Sequence, residues 1–260
     1  MKISFSKYQG AGNDFVLIAD RLNTFPQDVD LIKKICDRRF GVGADGLILL
    51  QDDSKADFKM VYFNADGNLG SMCGNGGRCV VAFARALNII DKNCSFSAYD
   101  GIHQASINDA NLVKLHMSDV GNVDKRAEGV FLDTGSPHLV CFQQGVEGLD
   151  VDTIGARIRY NSTYKERGTN VNFAERIDDY LLLRTYERGV EAETLACGTG
   201  ATATAIAAYE KGLFTTTSIK LKVKGGHLEV SFVAEGDSYS NICLTGSAEF
   251  VFSGEIEINV

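Results

Sequence analysis

A chain of 260 residues that is 45% hydrophobic and carries a formal net charge of −8 can hold one large domain or two of ordinary size. The acidic balance, with no basic run, argues against nucleic acid or an anionic membrane as partner. No segment is long and apolar enough to span a bilayer, and the opening MKISFSKYQG has no apolar signal core, so a cytoplasmic protein is expected.

In chain order, residues 2–8 and 15–20 read as strands, with residues 10–14 as the turn between them. Residues 28–39 carry Val29, Leu31, Ile32, Ile35 and Cys36 at helical spacing. A glycine-rich turn leads to strands near 46–51 and 57–63, then to the polar loop Asn64-Ala65-Asp66-Gly67-Asn68. A helix is predicted over 75–88, headed by Met72-Cys73-Gly74-Asn75-Gly76-Gly77-Arg78-Cys79. Apolar residues cover most of its circumference, the pattern of a helix buried on all sides. Strands near 94–99, 102–107 and 111–117 close the first half.

The second half runs in the same order. Strands near 129–134 and 137–143 flank Gly135-Ser136-Pro137, and a helix follows near 150–159. Strands near 169–174 and 180–186 lead to Glu187-Arg188-Gly189 and then to a helix at 198–211 headed by Ala196-Cys197-Gly198-Thr199-Gly200. Short strands fill 217–224, 227–233 and 241–246. The last stretch, 248–259, alternates like strands, has no counterpart in the first half, and is expected to pair back onto the first domain.

Shifting the chain by 124 positions lays Cys73 on Cys197, Gly74 on Gly198, Gly76 on Gly200 and Tyr62 on Tyr186. Such an internal repeat predicts two related domains, with residues 1–117 plus 248–260 in one and 118–247 in the other. Strands are not regularly interleaved with crossover helices, so a doubly wound sheet fits poorly. The expected fold is α+β: two pseudo-symmetric domains, each a mostly antiparallel, curled, barrel-like sheet around a central buried helix.

A cysteine just ahead of Gly-x-Gly at a helix start meets unsatisfied backbone N–H groups and the positive end of the helix dipole, which favour a thiolate. The glycines let a ligand reach the backbone, and the first-turn N–H groups form a site for a carboxylate. Two such copies facing a shared cleft would hold one carboxylate with a sulfur on either side of its α-carbon. One thiolate removes the α-proton and the other thiol returns a proton to the opposite face, the scheme of a two-base racemase or epimerase. The helix ends stabilise the charge that develops on the carboxylate. The scheme needs no cofactor.

Other readings fit the residues less well. Gly41-x-Gly43-x-x-Gly46 matches a dinucleotide pattern by letter but precedes a strand where the pattern should open a helix. The seven cysteines form an odd set with no secretion signal, so free thiols are expected, and most are small buried hydrophobes. The four histidines and seven cysteines include no Cys-x-x-Cys or His-x-x-x-His spacing, so no metal site is expected. A cysteine hydrolase could use His138 as base but leaves the second cysteine unexplained. The equivalent positions of Asn64 and Arg188, each nine before its cysteine, place both as candidates for the cleft.

The stretches Lys7 to Phe15, Phe63-Asn64-Ala65-Asp66-Gly67, Met72 to Gly76, Tyr186-Glu187-Arg188-Gly189 and Ala196 to Ala201 together resemble the diaminopimelate epimerase family over nearly the whole chain. The resemblance implies cofactor-independent conversion of LL- to meso-2,6-diaminopimelate, a step of lysine and peptidoglycan precursor biosynthesis, by a homodimer acting on a small amino-acid substrate. It implies Cys73 as the base on the LL isomer and Cys197 as the acid. Substrate contacts carry over to Asn13, Asn64, Gly74, Asn75, Asn170, Glu187, Arg188, Gly198 and Thr199, with His138 and Glu187 tuning the cysteines. There are departures from the family pattern. Ser136 stands where many members have Asn, Gly46 where some have a substrate-contacting Gln, and Phe252 where a Tyr helps dimers form. Same-fold racemases for proline or hydroxyproline usually show His where Asn75 stands. A carboxylate- or nucleotide-binding protein is the non-catalytic alternative.

Overall fold

The computed structural model describes residues 2–257. These divide into two compact units, residues 2–115 with 246–257, and residues 116–245.

The first unit opens on a hairpin of β1 (Lys2–Gly10) and β2 (Asn13–Ala19). Its turn is tighter than the sequence suggested. Only Ala11 and Gly12 lie outside the strands, both at positive φ (54° and 83°), the signature of a two-residue turn whose twist suits a hairpin. Gly10 and Asn13 therefore face each other across the ladder, as do Gln9 and Asp14. Helix α1 (Val29–Cys36) follows, with the Asp28 side chain accepting from the Leu31 amide as N-cap. It ends before its predicted limit because the Asp37 carboxylate accepts from the amides of Arg39 and Phe40, a local turn that competes with further helix.

Next come β3 (Gly46–Gln51), β4 (Phe58–Asn64), α2 (Gly74–Ala86), β5 (Asn93–Ala98), β6 (Gly101–Ile107) and β7 (Leu112–His116). β3 runs parallel to β2 and β5 parallel to β4, and the other neighbours pair antiparallel.

The second unit contains β8 (Val123–Lys125), β9 (Val130–Asp133), β10 (Pro137–Phe142), α3 (Val151–Arg159), β11 (Asn170–Ile177), β12 (Tyr180–Glu187), β13 (Ala192–Thr194), α4 (Gly198–Glu210), β14 (Ser218–Val223), β15 (Gly226–Glu235) and β16 (Ser238–Ser247). β11 is parallel to β10 and β14 is parallel to β12. In each unit, then, a short helix fills the first parallel connection and the cysteine-headed helix the second. The repeat seen in the sequence is a repeat of topology.

The last strand, β17 (Glu249–Glu257), has no counterpart in the second unit. It pairs antiparallel with β1 from Lys2 opposite Glu257 to Gln9 opposite Glu249. Residues 258 and 259 of the predicted strand lie outside the described residues.

Each unit is thus a mostly antiparallel curled sheet around one buried helix, an α+β fold. Every residue of α2 from Gly74 to Ala84 is buried, against β1, β2, β3, β4 and β6. In α4 only Thr199, Tyr209 and Glu210 escape full burial. Its alanines let six strands close in, and its two buried threonines bond back to helix carbonyls, Thr202 to Gly198 at 3.1 Å and Thr204 to Gly200 at 2.7 Å. No helix among the described residues is long and apolar enough to cross a membrane.

Candidate active site

Cys73 is the N-cap of α2, with extended backbone (φ −113°, ψ 119°). Its sulfur accepts from the Gly76 amide at 3.5 Å, and its thiol points to Asn13 Oδ1 at 3.7 Å. The Asn13 side chain is fixed from both ends. Its Nδ2 donates to Asp45 Oδ2 at 2.6 Å, and its Oδ1 also accepts from Asn75 Nδ2 at 3.2 Å. Asp45 is held by Arg38, which also makes two bonds to Asp14. Burial pushes the Asp14 carboxyl upward, but hydrogen bonds and charge from Arg38 and Lys7 outweigh it and hold it at about 2.

Beneath this row lies Arg78, wholly buried one turn into α2. Its Nη2 donates to Asn75 Oδ1 at 2.9 Å, and its other nitrogens reach the carbonyls of Gly74 and Ser247 at 3.4 Å. Burial lowers its pKa; a guanidinium nevertheless stays charged. A cation thus sits under the helix N-terminus. Arg78 was not singled out from sequence. Its signal was a charge set between the glycines and the apolar run Cys79-Val80-Val81-Ala82-Phe83-Ala84.

Cys197 repeats the geometry as N-cap of α4, with φ −123° and ψ 114°. Its sulfur lies 3.4 Å from Thr199 Oγ1. Thr134 Oγ1 donates to the Thr199 carbonyl at 2.9 Å, tying the first turn of α4 to the end of β9. A Cβ on Gly200 would lie 2.5 Å from Asn172 Oδ1 and 3.3 Å from the Cys197 sulfur, so only glycine lets Asn172 approach this turn.

Around that turn the buried polar groups form one network. Asn172 Nδ2 lies 3.0 Å from His138 Nδ1 and donates to the Leu139 carbonyl at 3.2 Å, while its Oδ1 accepts from Thr185 at 3.0 Å. The other ring nitrogen, Nε2, lies 3.4 Å from Asn170 Nδ2. His138 has no exposed surface. Burial pushes its pKa down to about 3, helped by the charge of Arg188 and opposed by the Asn172 bond. Asn170, two residues before Asn172 on the same face of β11, donates to Ser136 Oγ at 2.9 Å and to the Pro137 carbonyl at 3.0 Å, and accepts from the Arg188 amide at 2.9 Å. The Arg188 guanidinium reaches the Arg167 carbonyl at 3.0 Å and Ser136 Oγ at 3.3 Å. Glu187 accepts from Thr194 at 2.9 Å.

The structure therefore brings Asn13, Cys73, Gly74 and Asn75 together in the first unit. In the second it links His138, Asn170 and Arg188, with Gly198 and Thr199 directly after Cys197. Asn64 ends β4 opposite Gly46 and bonds to Tyr62. Ser136, the shorter replacement, bridges Asn170 and Arg188. Four of the other thiols differ in character. Burial pushes Cys36 and Cys94 up to about 12, Cys141 up to about 11, and Cys79 higher still, so these four stay protonated. Asp45, Thr134 and Asn172 were not read from the sequence. Of these only Asn172 carried a signal, the alternation Asn170-Val171-Asn172.

The family model described as diaminopimelate epimerase matches residues 5–123 and 130–251. A diaminopimelate epimerase of Flavobacterium psychrophilum is 54% identical over 252 residues, 96% of this chain and 98% of that one. One from Chlorobaculum tepidum is 42% identical over 257 residues, covering 96% and 99%. Among solved structures, a phenazine biosynthesis protein of the PhzF family from Bacillus anthracis superposes with a TM-score of 0.78 at 14% identity, covering 99% of this chain and 100% of that one. A probable proline racemase from Agrobacterium radiobacter K84 gives 0.70 at 15% identity, with 99% and 93% covered. These last two share the fold. With the family model spanning both cysteine-headed helices and full-length relatives this similar, the chain belongs to the diaminopimelate epimerase family.

Proposed function

We propose that the protein epimerises LL-2,6-diaminopimelate to the meso isomer by a two-base mechanism that needs no cofactor. The observation that carries this reading is the matched pair of N-caps. Cys73 and Cys197 hold nearly the same extended backbone ahead of buried helices of 13 residues each. First-turn amides, those of Gly74 and Asn75 and of Gly198 and Thr199, receive the α-carboxylate. Cys73, as thiolate, takes the α-proton of the LL isomer onto sulfur. The electron pair left on carbon delocalises into the carboxylate, whose growing charge the amides and the Arg78 cation stabilise. Cys197 then gives its thiol proton to the opposite face. Each turnover leaves the two sulfurs with exchanged protonation, poised for the reverse reaction.

The remaining contacts follow from charge. Arg188, steadied by Ser136 and the Arg167 carbonyl, receives the distal carboxylate. Glu187 and Asn170 complete that end, and Asn13 and Asn64 contact the substrate from the first unit. His138, held neutral by burial, tunes Cys197 through the Asn170 and Asn172 side chains rather than through charge. The protein works in the cytoplasm as a homodimer. The exposed apolar stretch Phe250, Val251 and Phe252 on β17, exposed by 56%, 52% and 44%, is the segment a second copy covers.

The test is α-hydrogen exchange in D₂O followed by NMR, with LL-diaminopimelate and separately with L-proline. Exchange is expected with the first alone. Exchange with proline alone makes the protein a different racemase, and exchange with neither makes it a binding protein. Cys73→Ala and Cys197→Ala should each lower epimerisation by about 10³-fold or more. Near-normal turnover in either variant rules out the two-base scheme.

A further inference from the structure

Tyr62 and Asn64 stand two residues apart on β4, with their side chains on the same face, and the Tyr62 hydroxyl donates to Asn64 Oδ1 at 2.9 Å. The ring that carries this hydroxyl is held by two glycines. A Cβ on Gly46, which faces Asn64 across the β3–β4 ladder, would lie 2.6 Å from Tyr62 Cε2. A Cβ on Gly70 would lie 2.6 Å from both Cδ1 and Cε1, on the other edge of the ring. Phe15 meets the ring edge-on, with centroids 6.0 Å apart and planes at 76°. The Gly70 amide also donates to the Tyr62 carbonyl at 2.8 Å, so the loop bearing Gly70 is fixed to the strand it packs on. Any side chain at Gly46 or Gly70 would displace the ring. The space is shaped for an aromatic ring at 62, and the ring delivers its hydroxyl to Asn64.

We propose that Tyr62 is a positioning residue that sets which end of the Asn64 amide meets the substrate, an inference that rests on the reading of Asn64 as a substrate contact. A primary amide has an accepting end and a donating end of nearly the same shape. With Oδ1 engaged by the hydroxyl, the Nδ2 end, which lies beside Gly70 with a Cβ there 3.3 Å away, is the end left for the substrate. Its hydrogens suit a carboxylate and not an ammonium group. Loss of the hydroxyl lets the amide turn over and offer oxygen instead. On a substrate that carries both groups at each end, this choice decides which one is accepted at Asn64. Tyr62 thus contributes to substrate selection without touching the substrate.

The experiment is a double-mutant cycle on the full chain, with LL-diaminopimelate as the probe. Tyr62→Phe keeps the ring between its glycines and should leave the melting temperature unchanged. It should raise KM about fivefold to tenfold, the worth of one oriented hydrogen bond, with kcat within about twofold. Asn64→Ala should raise KM as well, and the double variant should be no worse than Asn64→Ala alone, because Tyr62 acts only through Asn64. An unchanged KM in Tyr62→Phe, or an effect that persists in full in the Asn64→Ala background, overturns the proposal. An unchanged KM in Asn64→Ala overturns the reading beneath it, and that outcome is distinct because it appears in the single Asn64 variant.

Discussion

Burying His138 has a measurable consequence for stability. Its folded pKa, about 3, lies below the ordinary imidazole value of about 6.5. A depressed folded value means that the native state stays neutral while the unfolded chain takes up a proton. The stability linked to His138 is therefore fully present above about pH 6.5 and is lost as pH falls toward 3, at about 1.4 kcal/mol per pH unit within that window. Urea unfolding between pH 7 and 4.5 should show a shallower decline in His138→Gln than in the parent protein. Equal slopes would mean that His138 titrates in the fold. At this scale the sequence was partly legible. The cysteines, Asn13, Asn75 and Arg188 stood in recognisable strings. Asp45 and Thr134 did not, because what matters is where they end up. Asp45 reaches Asn13 only through the parallel pairing of β3 with β2, and Thr134 reaches Thr199 only across the second unit.

The elements were legible in proportion to their length. Long strands with alternation and the two cysteine-headed helices fell near their predicted positions. β8 and β13, with three residues each, are too short to show a period and were missed. The repeat also hides a difference in use. Tyr62 and Tyr186 are counterparts, yet Tyr186 is packed into the core beneath α3, where a Cβ on Gly155 would lie 2.4 Å from its Cβ. In an open helix, changing glycine to alanine gains about 1 kcal/mol. Here Gly155→Ala should instead destabilise the protein by about 1–3 kcal/mol, because α3 must lift off β12. The midpoint of urea unfolding gives the sign. A stabilised variant would mean that the helix shifts freely on the sheet.

The α+β class followed from one comparison of the chain with itself, since a repeat of topology needs only the order of its strands and helices to be seen. The pairing partners, and above all which connections run parallel, had to come from three-dimensional packing. The one strand outside the repeat, β17, has a consequence for the order of events during synthesis. The second unit is a continuous stretch and contains all of its own strands. The first unit lacks the second partner of β1 until β17 is made. While the ribosome translates β8 to β16, β1 has β2 on one side and an open ladder edge on the other, the kind of edge that invites pairing with another chain. A chain stopped after Ala248 should keep amide protection across the second unit and lose it in β1 and β2 by hydrogen exchange. Protection retained in β1 would show that the first unit closes without β17. In a crowded cell the window between making β1 and making β17 is when this protein is most exposed to aggregation, and a chaperone that shields a single nascent strand edge would shorten that exposure.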